Sequence, residues 1–277
     1  MAVEYISYSA WKDWNFCPFK HKITRIDRIK AFTGNIYSAF GTSMHDTAEE
    51  ILLLELEKDK NDGHLKDDSF DPIKFFKNSF KEELNSLDSV GKQHIVDKQI
   101  DPLEIEKQGI ELIPLILPEM KKYFGNFRVV QAEQEVRQTV DGFPNFDFHG
   151  YIDLIIQTED GKYHIIDWKS TSWGWDLRKR SDIEITYQLT YYKYFFCKAT
   201  GAQHKDVETH FCLLKRTAVK DKIEFFRVTS GDKKISNALN VLNNCVTNII
   251  KSNETGKYVK NKLNCERCEF HRTIHCP

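Results

Sequence analysis

Between positions 149 and 169 the chain carries two apolar runs rich in β-branched and aromatic residues. They are His149-Gly150-Tyr151-Ile152-Asp153-Leu154-Ile155-Ile156 and Tyr163-His164-Ile165-Ile166-Asp167-Trp168-Lys169, and Glu159-Asp160-Gly161-Lys162 lies between them. Such runs around a glycine-bearing turn predict adjacent strands of a hairpin. Side chains alternate along a strand, so Asp167 and Lys169 share one face while Trp168 turns its indole inward. Asp153 on the neighbouring strand can join the first face. Asp-x-Lys spacing alone says little, because Asp232-Lys233-Lys234 repeats it in an expected turn after Gly231. The flanking strands give the central copy its meaning.

Two carboxylates converging in a cleft raise each other's pKa unless a cation neutralises them, and a hard ion such as Mg²⁺ prefers oxygen ligands. An ion held there could polarise a phosphodiester and activate water, with the lysine adding positive charge where the strained phosphate forms.

With 277 residues, 40% apolar and 13% aromatic, the chain can bury a full core as one enlarged domain. No apolar run approaches the roughly 20 residues of a membrane span, and Met1-Ala2-Val3-Glu4-Tyr5 does not open a secretory leader, so an intracellular, cytoplasmic protein is expected. A net charge of −1 excludes a histone-like global field, and any nucleic-acid contact must come from a local basic surface. No Gly-x-x-x-x-Gly-Lys-Ser/Thr pattern is present, so unwinding would fall to a partner. Asp59-Lys60-Asn61-Asp62-Gly63 fails as a calcium loop because the first and third ligand positions become lysines.

The pattern predicts a short helix capped by Ser7 or Ser9 and ending near Cys17-Pro18, a helix from about Ser43 to Lys58 with His45 facing inward near its start, and a charged loop to Asp71. Helices near 72–87 and 102–124 follow. Strands are expected at about 127–140, 146–157, 162–169, 210–215 and 223–228, with helices at 183–198 and 233–251. A helical N-terminal portion (1–125), an α/β core (126–252) and a cysteine-bearing tail (253–277) then make one domain. The segment Thr171 to Arg180 mixes tryptophans with cations. It either stacks bases and contacts phosphates or lays its tryptophans over the core.

Gly41-Thr42-Ser43-Met44-His45, Gly150-Tyr151-Ile152-Asp153, Asp167-Trp168-Lys169 and Gln188-Leu189-Thr190-Tyr191-Tyr192 together resemble the PD-(D/E)XK nuclease superfamily. Within it they resemble the RecB-like branch, which includes AddAB-type and CRISPR-associated exonucleases. The resemblance spans most of the chain and implies a restriction-endonuclease-like central mixed sheet flanked by helices. It also implies that His45, Asp153, Asp167 and the Trp168 carbonyl hold Mg²⁺ or Mn²⁺, and that Lys169 assists the water. Gln188 and Tyr192, one helical turn apart, would touch the nucleic-acid backbone or hold the catalytic strand. Glu133 and Glu135 lie in a segment similar to the acidic strand before Gly-x-x-Asp. Alternation would put both on one face, where either could orient the metal water or neighbour Lys169 or simply form an exposed strand edge, and Glu135 is the one placed in the catalytic set.

Seven cysteines without an export signal read as metal ligands or buried thiols. Cys197, Cys212 and Cys245 lie in apolar segments and are expected in the core. Cys17 stands near one end, and Cys265, Cys268 and Cys276 near the other. In the resembling nucleases one early and three late thiols carry a [4Fe-4S] cluster. The long interval from Cys268 to Cys276, with His271 and His275 inside it, keeps Zn²⁺ open as the alternative. The function so implied is a metal-dependent DNA exonuclease acting on single strands or ends in recombination, repair or phage DNA metabolism, alongside a helicase, annealing or recombination protein. The alternative is a non-cleaving DNA-end-binding scaffold that kept the fold.

Overall fold

The computed structural model describes residues 4–30, 34–60 and 69–277. Residues 61–68 of the loop expected from Lys58 to Asp71, with the last three residues of the failed calcium pattern, lie outside them. The strands are β1 (Glu4–Ile6), β2 (Phe127–Thr139), β3 (Phe146–Thr158), β4 (Tyr163–Thr171), β5 (Val207–Lys215) and β6 (Ile223–Arg227). The N-terminal helices are α1 (Tyr8–Phe16), α2 (Pro18–His21), α3 (Ile36–Lys60), α4 (Pro72–Ser86), α5 (Ser89–Asp97), α6 (Pro102–Leu112) and α7 (Ile116–Phe124). After the hairpin come α8 (Leu177–Ser181), α9 (Ile183–Thr200) and α10 (Asp232–Thr255). This is the mixed sheet flanked by helices that the sequence implies. Among the described residues no helix is long and apolar enough to cross a membrane.

Local chemistry explains most boundaries. Ser7 caps α1, and Asp71 and Asp101 cap α4 and α6, each followed by a proline at the first helical position where its missing N–H costs nothing. α3 starts at Ile36, two turns before the expected Ser43, because Asn35 accepts from the Tyr37 and Ser38 amides. Gly41 therefore lies inside the helix. A Cβ there would sit 3.1 Å from Ser170 Oγ, so the glycine lets α3 close onto β4.

The strand order is β1-β3-β4-β5-β6, with β2 on β3. β2 runs antiparallel along β3 over nearly its full length and occupies one edge. On the other edge β3 pairs antiparallel with β4 only from Leu154 to Gln157, and parallel with β1 only from Phe146 to Phe148. Residues 149–153 of β3 thus face a gap between two partners. β4 continues past the last β3 pair, Leu154–Ile166, and is carried by its parallel ladder with β5 from Tyr163–Val207 to Thr171–Lys215.

Each face of the sheet has its own core. One gathers Phe148, Ile152, Ile165, Phe211 and the aromatic side of α9 with α1 and α10, and the other gathers Leu154, Ile166 and Trp168 with Phe40, Met44, Phe76 and Met120. Cys197, Cys212 and Cys245 are buried as expected. The termini meet: Phe19 N–H donates to the Val259 carbonyl at 3.1 Å, and the amides of Asn261 and Asn264 both donate to the Phe16 carbonyl, at 3.0 and 2.6 Å.

Candidate active site

The gap on β3 is where the polar residues collect. Asp153 and Asp167 are the first residues beyond the Leu154–Ile166 pair, where the two strands part. Asp153 Oδ2 bridges the parting by accepting the Trp168 amide at 2.9 Å. α3 closes the same corner, with His45 Nε2 donating to the Trp168 carbonyl at 2.9 Å and His45 Nδ1 lying 3.5 Å from Asp153 Oδ2. His45 sits in the third turn of α3, not near its start. Trp168 packs its indole into the α3 core, so strand alternation turns Asp167 and Lys169 to the opposite face.

On that face α9 supplies the support. Gln188 Nε2 donates to Asp167 Oδ1 at 2.7 Å and lies 3.4 Å from Tyr192 Oη. The first contact reaches β4 from α9, the second stays within α9, and Tyr192 is buried. Gly150 makes room for it, since a Cβ there would lie 3.0 Å from Tyr192 Cε1. Lys169 Nζ stands 2.5 Å from Asp167 Oδ2, yet that buried oxygen receives no well-directed hydrogen bond. An ionised oxygen in that state has a lone pair to offer a cation, so the residues present fit a hard divalent ion.

The electrostatics agree. Burial pushes Asp167 up to about 6, Asp153 adds to the shift, and Lys169 opposes it. Burial raises Asp153 as well, against Lys169 and the Trp168 amide. Burial alone would lower Lys169, but the charges of Asp167 and Asp153 outweigh it and hold the ammonium above its ordinary value. Burial lowers His45, favouring the neutral imidazole a metal requires.

The acidic strand departs from its expected geometry. Glu133 has φ +44°, an unusual conformation for a side chain of this kind, and falls across from Asp153 between the pairs Ala132–Leu154 and Gln134–Ile152. At the same point β3 changes its alternation: Phe148 and Ile152 belong to one core, Leu154 and Ile156 to the other. Simple alternation therefore misplaces the two glutamates. Glu135 pairs with His149 Nε2 at 2.9 Å and is half exposed, away from the carboxylates. Glu133 senses the site: removal from water, then Asp153, Glu49, Asp46 and Asp167, push it up to about 7. Glu49 is raised too, by burial and by Glu50 and Asp46. Its position one helical turn after His45 is the sequence signal for it.

Elsewhere, Cys17, Cys265, Cys268 and Cys276 are free thiols lining one pocket with His271, whereas His275 packs edge-on to Phe270. Between β4 and α9 the tryptophans divide. Trp175 covers Phe211 and Phe226 and carries Lys179 Nζ 4.5 Å above its ring, and Trp173 is 67% exposed.

Comparison with known proteins follows this geometry. The sequence profile of the PD-(D/E)XK nuclease superfamily matches residues 5–273. Among solved structures, a Eubacterium rectale protein described as a "putative exonuclease" superposes with a TM-score of 0.62 at 15% identity, covering 99% of this chain and 90% of its own. At that identity the likeness speaks for the fold alone. The structure of SSO0001 aligns at 17% identity and a TM-score of 0.35 over 80% of this chain and 92% of its own, too loosely to add to it. No curated protein matches the sequence. The profile leaves out four residues at each end and spans every element around the gap in β3, so the chain belongs to the PD-(D/E)XK nuclease superfamily.

Proposed function

We propose that the protein is a divalent-metal DNA nuclease, and specifically an exonuclease that works on single strands or DNA ends. The observation that carries this reading is the pair of buried carboxylates, Asp153 and Asp167, brought together with the Lys169 ammonium 2.5 Å from Asp167 Oδ2 in the gap between β3 and β4. His45, Asp153, Asp167 and the Trp168 carbonyl would hold Mg²⁺ or Mn²⁺, which supplies Lewis acidity toward the phosphodiester and toward water. Lys169 places its ammonium where charge grows on the attacked phosphate. Gln188 keeps Asp167 facing that point, and Tyr192 backs Gln188. Glu133, poised near neutrality, can take the proton released by the attacking water. Exposed Trp173 offers a face on which a base can stack.

The four thiols that line one pocket fit a metal group tying the chain ends together. The resemblance to nucleases with one early and three late thiols favours a [4Fe-4S] cluster, with a single zinc ion as the alternative. Iron and sulfide content with broad visible absorbance checks this. Cys265→Ala should remove both and lower the melting temperature by several degrees.

The function is tested with labelled single- and double-stranded DNA, free and end-blocked, in Mn²⁺ and in chelator. Metal-dependent shortening from free ends supports the exonuclease, cleavage of end-blocked DNA makes it an endonuclease, and binding without cleavage leaves the scaffold reading standing.

A further inference from the structure

A second group of ligand atoms lies on the same strands, away from the gap. His164 in β4 faces Glu208 in β5, and His210 is two residues further along β5, opposite Ile166. Parallel pairing therefore brings three potential ligands together. His164 Nδ1 lies 3.1 Å from His210 Nε2, and Glu208 Oε2 lies 4.0 Å from the first and 3.9 Å from the second. A point equidistant from these three atoms is about 2.1 Å from each, the length of zinc bonds to imidazole nitrogen and carboxylate oxygen.

The surroundings hold this arrangement in place. Glu208 meets its cations through the other oxygen: Oε1 lies 3.3 Å from Arg227 Nη1 and 3.6 Å from Lys162 Nζ, which leaves Oε2 to the imidazoles. Thr158 Oγ1 is 3.0 Å from His164 Nε2 and fixes that ring, as an outer partner does for a metal-bound histidine. His210 is 2% exposed and its Nδ1 has no partner, so the ring's position is not explained by hydrogen bonds on that side. Phe124 stands 5.1 Å from both imidazole rings and shields the group on one side. The three residues, together with Phe124, line a cleft of about 580 Å³. Burial keeps both imidazoles in the neutral form that can donate a lone pair.

We propose that His164, Glu208 and His210 form a second divalent-metal site, for zinc or a similar late first-row ion, with a fourth position open to the cleft. Two imidazoles and one carboxylate are a donor set for such ions and a poor one for Mg²⁺, which separates this site chemically from the oxygen-rich gap. Bound there, the ion joins β4 to β5 at the end of the ladder remote from Lys169.

The test measures zinc bound per chain after dialysis against limiting Zn²⁺, for the unsubstituted protein and for Glu208→Gln and His210→Gln. Each substitution should remove one zinc per chain and abolish a zinc-dependent rise in melting temperature of roughly 5 °C. Co²⁺ in place of Zn²⁺ should give visible absorption of a four-coordinate nitrogen and oxygen site, lost in both variants and kept in Asp167→Ala. Should His210→Gln not fold, the half-buried Glu208→Gln carries the result alone. Unchanged zinc content and cobalt spectrum in Glu208→Gln would overturn the proposal and leave the two imidazoles as a simple hydrogen-bonded pair.

Discussion

The two ends of β4 hold polar clusters that burial treats in opposite ways. At the gap, loss of water pushes acids up, Asp167 to about 6 and Glu133 to about 7, so positive charge is wanted there. At the other end the same loss lowers His164 and takes His210 down to about 3, so two neutral nitrogens wait beside one carboxylate. The strand is common to both. Alternation sends Asp167 and Lys169 to the α9 face and His164 to the α3 face. The lesson is that one ladder can present a hard, oxygen-rich site and a softer, nitrogen-rich one, because side-chain direction and strand pairing are separate variables.

The sharpest way to break this contrast is at the gap. Asp167→Ala or Lys169→Ala should reduce Mn²⁺-dependent cleavage roughly 10³-fold or more while circular dichroism stays native, and retained cleavage would end the assignment. A second measurement separates the two glutamates. Glu133→Gln should weaken Mn²⁺ binding about tenfold by titration, whereas Glu135→Gln, which breaks only its contact with His149, should change it less than about twofold. Reversed effects would restore simple alternation along β2.

A pH series sharpens the comparison further. Asp167 in the fold holds its proton to about 6, above the ordinary 3.8, so between those values the folded chain binds a proton that the unfolded chain has lost. The contribution of Asp167 to metal-free stability therefore falls as pH rises through that window, while the buried neutral histidines, His210 above all, contribute in the opposite direction. Added Mn²⁺ should restore it above about pH 6 by displacing the proton. Melting curves at pH 5 and 7, with and without Mn²⁺, for the unsubstituted protein and for Asp167→Asn, read both signs with the histidine contribution common to both, and a metal-free protein that loses no more stability than Asp167→Asn between pH 5 and 7 would contradict the shift. The smallest effect is expected from Gly150→Ala, whose new Cβ would press on Tyr192 and cost about 1 kcal/mol, seen as a drop of roughly 2 °C.

Much of the gap was legible in the residues. Period-two alternation around Gly161 placed Asp153, Asp167, Trp168 and Lys169, and a spacing of four placed Gln188 with Tyr192. The helix bearing His45 was found, but its first two turns were not, because a glycine reads as a boundary until its neighbour Ser170 is known. β1, with three residues, and α5 and α8 have too little periodicity to register. Glu133 was misjudged because a single residue with positive φ reverses which side chains share a face. The His164, Glu208 and His210 group was invisible for another reason. Periodicity gives the face of a strand, never the identity or register of its parallel neighbour, and here that neighbour begins 36 residues after β4 ends.

Glu133 has one more consequence. Its backbone occupies a region that glycine enters freely and glutamate enters at a cost of about 1 kcal/mol or more. A glycine at this position would make a sturdier protein and, on the role proposed for Glu133, a slower nuclease. The local weakness in β2 is therefore the cost of keeping an acid beside the gap, and screening for thermal tolerance alone would drive the chain to discard it.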